Sequence, residues 1–276
     1  MEDSYTDNMT RHVSEVQRLN QQFDLMTENI GYLLHPTIAT SLPKDPIIAD
    51  VATGTGRFLL RIHELYPDAR LDGFDISAAL FTNDVPGNVK LNVLDVKKPI
   101  PDELKGLYDV VHVRMLVAGM LPDDWAPTIV NLSQMLRPGG FLQWTECDFI
   151  TLKYLRGRVD SHVDKIGYLG QTFGTALRER FLHGWNTLPT YMQAAGLQAV
   201  SRDTVSSDRI PESREMTTRS SILAPLAWME LMAERNAPGA LASDDINQLA
   251  VDVDEDIKSG AYVRYDIHTV YGRKLQ

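Results

Sequence analysis

The stretch Ile47 to Leu60, I-I-A-D-V-A-T-G-T-G-R-F-L-L, constrains this chain more than any other. Ile47, Ile48, Ala49 and Val51 form a short apolar run suited to a strand covered on both faces, and Arg57 to Ile62 reads as the opening of a helix. Ala52 to Gly56 must then be a tight crossover. Gly54 and Gly56 can take positive φ there and let a ligand come close to the backbone. The N–H groups that open the helix face the same crevice and suit a polar or negatively charged group. Strand, glycine turn and helix together make a cradle for a small molecule.

The neighbouring residues narrow its contents. A phosphate loop of the G-x-x-x-x-G-K-[ST] type fails, because no Lys-Ser or Lys-Thr pair follows Gly56. A dinucleotide fingerprint needs glycine or alanine where this chain has Leu59, a large side chain at the close helix-to-strand contact. An acid, Asp50, precedes the turn, and a second, Asp75 in L-D-G-F-D-I-S, lies 19 residues beyond Gly56. A carboxylate at that distance can accept both hydroxyls of a ribose, although an aspartate ending a strand can also cap a helix.

At these residues the sequence resembles the class I S-adenosylmethionine-dependent methyltransferases. D-V-A-T-G-T-G is similar to that family's first motif, with Ala52 where the first glycine usually stands. G-F-D-I-S resembles the second, L-N-V-L-D-V at Leu91 to Val96 the third, and L-R-P-G-G-F-L the turn before the fifth strand. The resemblance implies S-adenosyl-L-methionine as cofactor. The backbone at Ala52, with Thr53 and Gly54, would meet its methionine part, Asp50 and Gly56 would belong to the same cofactor-binding set, and Asp75 would take its ribose hydroxyls. Ile76 would flank the adenine, Asp95 would accept from the adenine amino group beside the Val96 N–H, and the backbone of Arg114 would sit by the sulfonium. The Arg114 guanidinium could pair with a cofactor carboxylate, a local acid or a surface group. Asp95 could equally be an ordinary strand-to-turn aspartate.

Size and charge restrict the partners. A chain of 276 residues, 43% hydrophobic, can bury one substantial core and is not forced into two domains. With 27 Lys and Arg against 37 Asp and Glu, the net charge of −10 leaves no electrostatic footprint for nucleic acid. The start is acidic and lacks the apolar core of a secretory signal, no run is long enough for a membrane helix, and the lone Cys147 suits a reducing compartment. The expectation is a cytoplasmic protein that binds no membrane or nucleic acid and admits a homodimer.

The alternation of patterns predicts an α/β fold with a doubly wound, mostly parallel sheet. Strands are expected at Ile47–Val51, Leu71–Phe74, Lys90–Leu94, Tyr108–Val113 and Phe141–Glu146, with helices at Arg57–Tyr66, Trp125–Leu136 and weakly at Ser77–Phe81. Pro138, Gly139 and Gly140 should end the last of these helices sharply. Ser161 to Trp185 reads as a helix interrupted by Gly167, Gly170 and Gly174. Pro189 to Ala195 is a further helix and Leu197 to Val205 a strand. Arg214 to Arg235 and Ser243 to Ser259 read as helices, the second capped by Ser243. Ala261 to Tyr271 alternates as an antiparallel strand should. The resemblance makes this a seven-stranded Rossmann-like sheet with that strand between the fifth and sixth, and a helical insertion before it. One domain over 1–276 is expected: residues 1–45 as an N-terminal helical lid, 46–150 as the cofactor core, and 151–276 as substrate-side helices with the last two strands.

Residues 1 to about 9 are polar and expected to be mobile. Val13, Val16, Leu19, Phe23 and Met26 give the helix from Thr10 to Leu34 an apolar stripe. The segment R-L-N-Q-Q-F-D-L-M followed by G-Y-L-L-H-P is similar to methyltransferases of fungal secondary metabolism, in which this helix closes over cofactor and substrate. A plain amphipathic helix on the sheet explains the stripe equally well, and Arg18, Asn20, Gln22 and Asp24 separate the readings, since a lid aims polar groups inward.

Methyl transfer from a sulfonium is an in-line displacement that needs positioning and exclusion of water, and no pattern suggests a metal. Glu146, Asp148, His162 and His183 are the candidates for deprotonating an acceptor, while His112, in mid-strand, reads as a packed core residue. Trp144, Trp185, Tyr168, Phe173, Met192, Trp228 and Met232 could line a pocket for an apolar or aromatic acceptor or could be plain core. The leading expectation is methyl transfer to an O, N, S or C atom of a small secondary metabolite. A cofactor-binding dehydratase or pericyclase and a methyltransferase-like regulatory protein are the alternatives.

Overall fold

The computed structural model describes residues 3–11 and 13–275, with the backbone alone at 13 and 14, so the expected place of Val13 in the apolar stripe lies outside the described residues, as do residues 1 and 2. Helix α1 (Val13–Ile30) and the single turn α2 (Pro36–Ala39) come first. They lead into β1 (Ile47–Val51), α3 (Arg57–Leu65), β2 (Arg70–Asp75), β3 (Val89–Val93), β4 (Tyr108–Arg114), α4 (Trp125–Met135) and β5 (Leu136–Arg156). The remainder is α5 (Asp164–Ala176), α6 (Arg178–Phe181), α7 (Leu188–Ala194), β6 (Leu197–Ser206), α8 (Arg214–Glu234), α9 (Ser243–Ser259) and β7 (Ala261–Lys274).

The seven strands form one sheet in the order β3-β2-β1-β4-β5-β7-β6. Strands β1 to β5 pair in parallel, and β7 runs antiparallel between β5 and β6. This is the Rossmann-like sheet expected, and its strand order reverses between β1 and β4, where folds of this kind open a crevice at the C-terminal strand ends. One face of the central strands is covered by α3, through Ile48, Phe58, Leu59 and Ile62, and the other by α4 and α7, through Trp125, Leu132, Trp144 and Met192. A third cluster joins β7 to α5, α8 and α9.

Leu59, the residue that argued against a dinucleotide fold, is fully buried under the sheet and does not enter the crevice. Room for it comes from Gly73 on β2: a Cβ there would lie 2.9 Å from Leu59 Cδ1 and 2.6 Å from Leu91 Cδ2. The bulk missing from one side of the contact is thus present on the other.

Several local expectations are corrected. Strand β5 runs on to Arg156, because β7 pairs with it along nearly its whole length, Lys153 to Arg156 lying against Ala261 to Arg264 after a register shift. Pro138, Gly139 and Gly140 stand inside β5, in an irregularity between the Tyr108 and Val110 pairings, and α4 ends earlier, at Met135. Ser243 is the first residue of α9, and its cap position is Ala242, which makes no side-chain capping bond. Helix α5 is continuous through Gly167, Gly170 and Gly174.

The mobility expected of the N-terminus is also overturned for residues 3–11, whose polar groups find partners across the fold. Ser4 Oγ donates to Gly119 O at 2.7 Å, Arg180 pairs with Asp7, and Arg235 donates to the Thr6 and Asp7 carbonyls.

Candidate active site

One cavity of about 270 Å³ lies at the C-terminal ends of β1, β2 and β4 and continues toward β5 and β7. Asp50, Ala52, Thr53, Gly54, Asp75, Ile76, Asp95, Val96 and Arg114 all line it, and Gly56 sits just behind as the turn residue before α3.

The cradle is built by the Asp50 carboxylate from beneath. Its Oδ2 accepts from Thr53 Oγ1 at 2.6 Å, and its Oδ1 lies 2.7 Å from Nδ1 of His112, whose ring stacks on Phe58. Burial holds His112 below its ordinary pKa, so it serves as a neutral prop for Asp50, in keeping with a packed core histidine. Above this, Thr53 N donates to Phe74 O and Gly54 N donates to Asp75 Oδ2 at 3.0 Å. Asp75 Oδ1 accepts from Ser77 N and faces Arg11 at 3.6 Å. Burial raises the Asp75 carboxyl above its usual range, against these donors. Asp95 Oδ1 accepts from Lys97 N, with the Lys98 ammonium 3.7 Å from its other oxygen.

Gly54 and Gly56 have φ of 53° and 79°, as the crossover requires, and Ala52 has φ 55° without being glycine. A left-handed alanine is strained by roughly 1 kcal/mol. Ala52→Gly is therefore expected to raise the thermal midpoint by about 2–3 °C, read by differential scanning fluorimetry; an unchanged or lower midpoint contradicts the strain.

Helix α1 crosses the mouth of this cavity. Arg18, Leu19, Gln22, Phe23 and Met26 face inward, Asn20 accepts from Thr55 Oγ1 of the turn, and Asp24 holds Arg57 and Arg61 of α3. Of the four polar residues that separate a lid from a plain amphipathic helix, Arg18 and Gln22 face the cavity, while Asn20 and Asp24 bond the turn and α3. Residues 3–11 complete the cover: Tyr5 Oη donates to Glu15, which also binds Arg18. Sequence reasoning missed Tyr5 and Arg11, because their partners lie far along the chain and no local pattern marks them.

Arg114, the last residue of β4, donates to Thr27 Oγ1 of α1 at 2.8 Å and lies 4.5 Å from the centre of the Phe23 ring. Among the described residues no carboxylate comes within ion-pair reach of it, and its Nε has no partner. Enclosure lowers its pKa to about 10. A cation kept so close to the cradle without a counter-ion fits a ligand that carries a carboxylate.

None of the four candidate bases reaches the cavity. Glu146 is fully buried in β5, where its Oε1 accepts from Leu116 N and Trp144 Nε1, both at 2.8 Å. It positions the turn after β4, in which Met115 has φ 56° and Met115, Leu116 and Val117 line the cavity. Asp148 holds the β5 irregularity by accepting from Ile150 N, Thr151 N and Thr151 Oγ1. His162 is exposed near the end of α9, and His183 lies between α6 and α7. Of the proposed pocket aromatics and methionines only Phe173 lines the cavity; Trp228 packs behind it, Trp144 and Met192 are core, and Tyr168 is exposed.

Burial pushes the Glu146 carboxyl up to about 8, so the folded protein holds this proton while an unfolded chain has lost it above pH 4.5. Stability due to this group is then full in acid and falls as pH rises from about 4.5 to 8, by about 1.4 kcal/mol per unit at most. Glu146→Gln should flatten that slope in denaturant titrations at several pH values, and an unchanged slope contradicts the assignment.

An open twisted sheet with a carboxylate beside a glycine turn, at the switch point of strand order, defines a Rossmann-like fold. A profile of the family described as "Methyltransferase domain" matches residues 49–142. The chain is 41% identical over 143 residues to methyltransferase grgD of a Penicillium species, covering 49% of this chain and 50% of that one. It is 23% identical over 274 residues to N-methyltransferase sirN of Leptosphaeria maculans, covering 95% of this chain and 92% of the relative. The chain thus spans about half the length of grgD and nearly all of sirN. Among solved structures, phosphoethanolamine N-methyltransferase 2 of Haemonchus contortus, in complex with phosphomonomethylethanolamine and S-adenosylhomocysteine, has a TM-score of 0.51 at 12% identity, over 93% of this chain and 53% of that one. Residues 49–142 thus match a methyltransferase domain, and the chain is similar to methyltransferases of fungi.

Proposed function

We propose that this protein transfers a methyl group from S-adenosylmethionine to a nitrogen of a small, largely apolar secondary metabolite, as one folded unit in the cytoplasm, with residues 1–45 as the lid, 46–150 as the cofactor core and 151–276 on the acceptor side. The observation that carries the reading is the continuous cavity joining the Asp75 and Gly54 cradle to an apolar chamber beside β5 and β7. When bound, the cofactor supplies a methyl group already activated by a sulfonium.

The chain's own residues hold and orient. Asp75 accepts the ribose hydroxyls, Asp95 and Val96 meet the adenine amino group, and Ile76 flanks the base. Ala52, Thr53, Gly54 and Gly56 shape the backbone around the methionine part, while Arg114 offers its guanidinium to a carboxylate. The α1 lid and the Glu146-braced turn keep water out and fix the approach of the acceptor. Glu146, Asp148, His162 and His183 stand outside the cavity, and a neutral acceptor nitrogen attacks through its own lone pair without prior deprotonation. The choice of nitrogen draws on what sirN and the Haemonchus enzyme are named for.

Incubation of the purified protein with methyl-labelled S-adenosylmethionine and an extract of a host expressing the neighbouring biosynthetic genes tests this by mass spectrometry. Label on a metabolite nitrogen supports the reading. Product formed without label points to a non-methylating enzyme, and no product to a regulatory protein; either outcome sinks it.

A further inference from the structure

The charged residues of the cavity come from one side of it. Asp50, Asp75, Asp95, Lys97 and Arg114 stand on or just after β1 to β4, and the rest belong to the N-terminal cover and the start of α3. The lining residues contributed by β5, β7, α5 and α8 include no charged side chain. Leu152, Ile166, Phe173, Ile222 and Val263 are among its apolar residues, and a charged group brought into it would lose its hydration without a partner.

Four hydroxyl-bearing side chains interrupt this apolar chamber: Ser221 and Tyr265 lie against each other, and two more, on β5 and α8, lack a partner. Tyr154 stands on β5 opposite Val263 of β7, and its hydroxyl makes no hydrogen bond with any described residue. Burial alone pushes that hydroxyl up to about 12, so it remains a neutral donor. Its ring lies along α5 at Gly167 and Gly170: a Cβ at 170 would come within 1.5 Å of Tyr154 Oη, and one at 167 within 3.8 Å of Cδ2. Two glycines inside a helix cost about 2 kcal/mol relative to alanine, and Gly170 leaves the space that the hydroxyl fills. The second atom is Ser220 Oγ of α8, buried and without a partner, whereas the hydroxyl of its neighbour Ser221 is satisfied by Thr217 O.

We propose that the chamber between β5, β7, α5 and α8 is the acceptor subsite, that it selects an uncharged molecule, and that Tyr154 Oη and Ser220 Oγ orient that molecule by hydrogen bonds, with Gly170 making room for the tyrosine. This rests on the methyl-transfer reading, which assigns the other half of the cavity to the cofactor. Unpaired hydroxyls on the chamber wall can be satisfied by a ligand group, and a chamber wall without charge discriminates against ions.

The test uses three probes of one shape and different charge: indole-3-acetamide, indole-3-acetate and tryptamine. Each is titrated into the full chain saturated with S-adenosylhomocysteine, whose own affinity is measured first by calorimetry. Indole-3-acetamide is expected to bind at least about tenfold more tightly than either charged probe. Combining Tyr154→Phe with Ser220→Ala should weaken it by about tenfold while leaving S-adenosylhomocysteine affinity within about twofold. Gly170→Ala, which favours the helix, should weaken the same probe by displacing the hydroxyl. Normal S-adenosylhomocysteine binding with no preference for the neutral probe, with no probe bound, or with an unaffected double variant overturns the subsite alone. Failure of the wild-type chain to bind S-adenosylhomocysteine overturns the cofactor reading and the subsite with it.

Discussion

Asp75→Ala is expected to weaken S-adenosylhomocysteine binding by about 100- to 1000-fold in isothermal titration while the chain stays folded. The carboxylate is the proposed ribose acceptor of the cradle, and two charge-assisted hydrogen bonds contribute together about 3–5 kcal/mol, or 2 to 3 powers of ten in affinity. Truncation also leaves the Gly54 and Ser77 N–H groups without their acceptor, so a drop of a few degrees in thermal midpoint should accompany the loss. Asp75→Asn keeps an acceptor oxygen without the charge and should fall between the two. Wild-type affinity in Asp75→Ala would remove the ribose from this site.

Arg114→Met should move stability and binding in opposite directions. In the ligand-free chain the guanidinium has one hydroxyl partner, one aromatic neighbour and no described carboxylate, and burial already lowers its pKa to about 10. Replacing such a group by an apolar side chain of similar length removes an uncompensated desolvation cost, and about 1–3 kcal/mol of added stability is expected in urea titrations. The same change removes the cation offered to the cofactor carboxylate, so affinity for S-adenosylhomocysteine should fall about 10- to 100-fold. A variant that lost stability and kept its affinity would make Arg114 a structural strut between β4 and α1. The opposed signs are what a residue held ready for a ligand should give.

That the residues proposed to hold the cofactor line one cavity was legible in the sequence, because their placement is local. The turn from Asp50 to Gly56 and the aspartates ending β2 and following β3 each lie within one strand-turn unit, and their order along the chain fixes their order along the strand ends. Strands β1 to β4 were placed to within a residue at each end for the same reason. The acceptor half was not legible. Glu146 and Asp148 lie on the expected strand, yet the irregular β5 and its pairing with β7 turn them into braces, and no spacing within β5 foretells that. Gly167 and Gly170 looked like helix breaks because their role is to receive Tyr154, a residue of another element. The N-terminal segment looked mobile because Arg180, Arg235 and Lys97, which bind it, lie 90 or more residues away.

The proposed reaction requires the crevice beside β1 and β2 to hold the adenosyl group and the space beside β5 and β7 to receive the acceptor. A crystal structure of the chain with S-adenosylhomocysteine tests it most directly. The account predicts both ribose hydroxyls within hydrogen-bond distance of Asp75, the adenine beside Ile76 and Asp95, and the sulfur at the side of the cavity toward Met115. Density for the nucleoside elsewhere, or in this cavity with Asp75 unengaged, would contradict it.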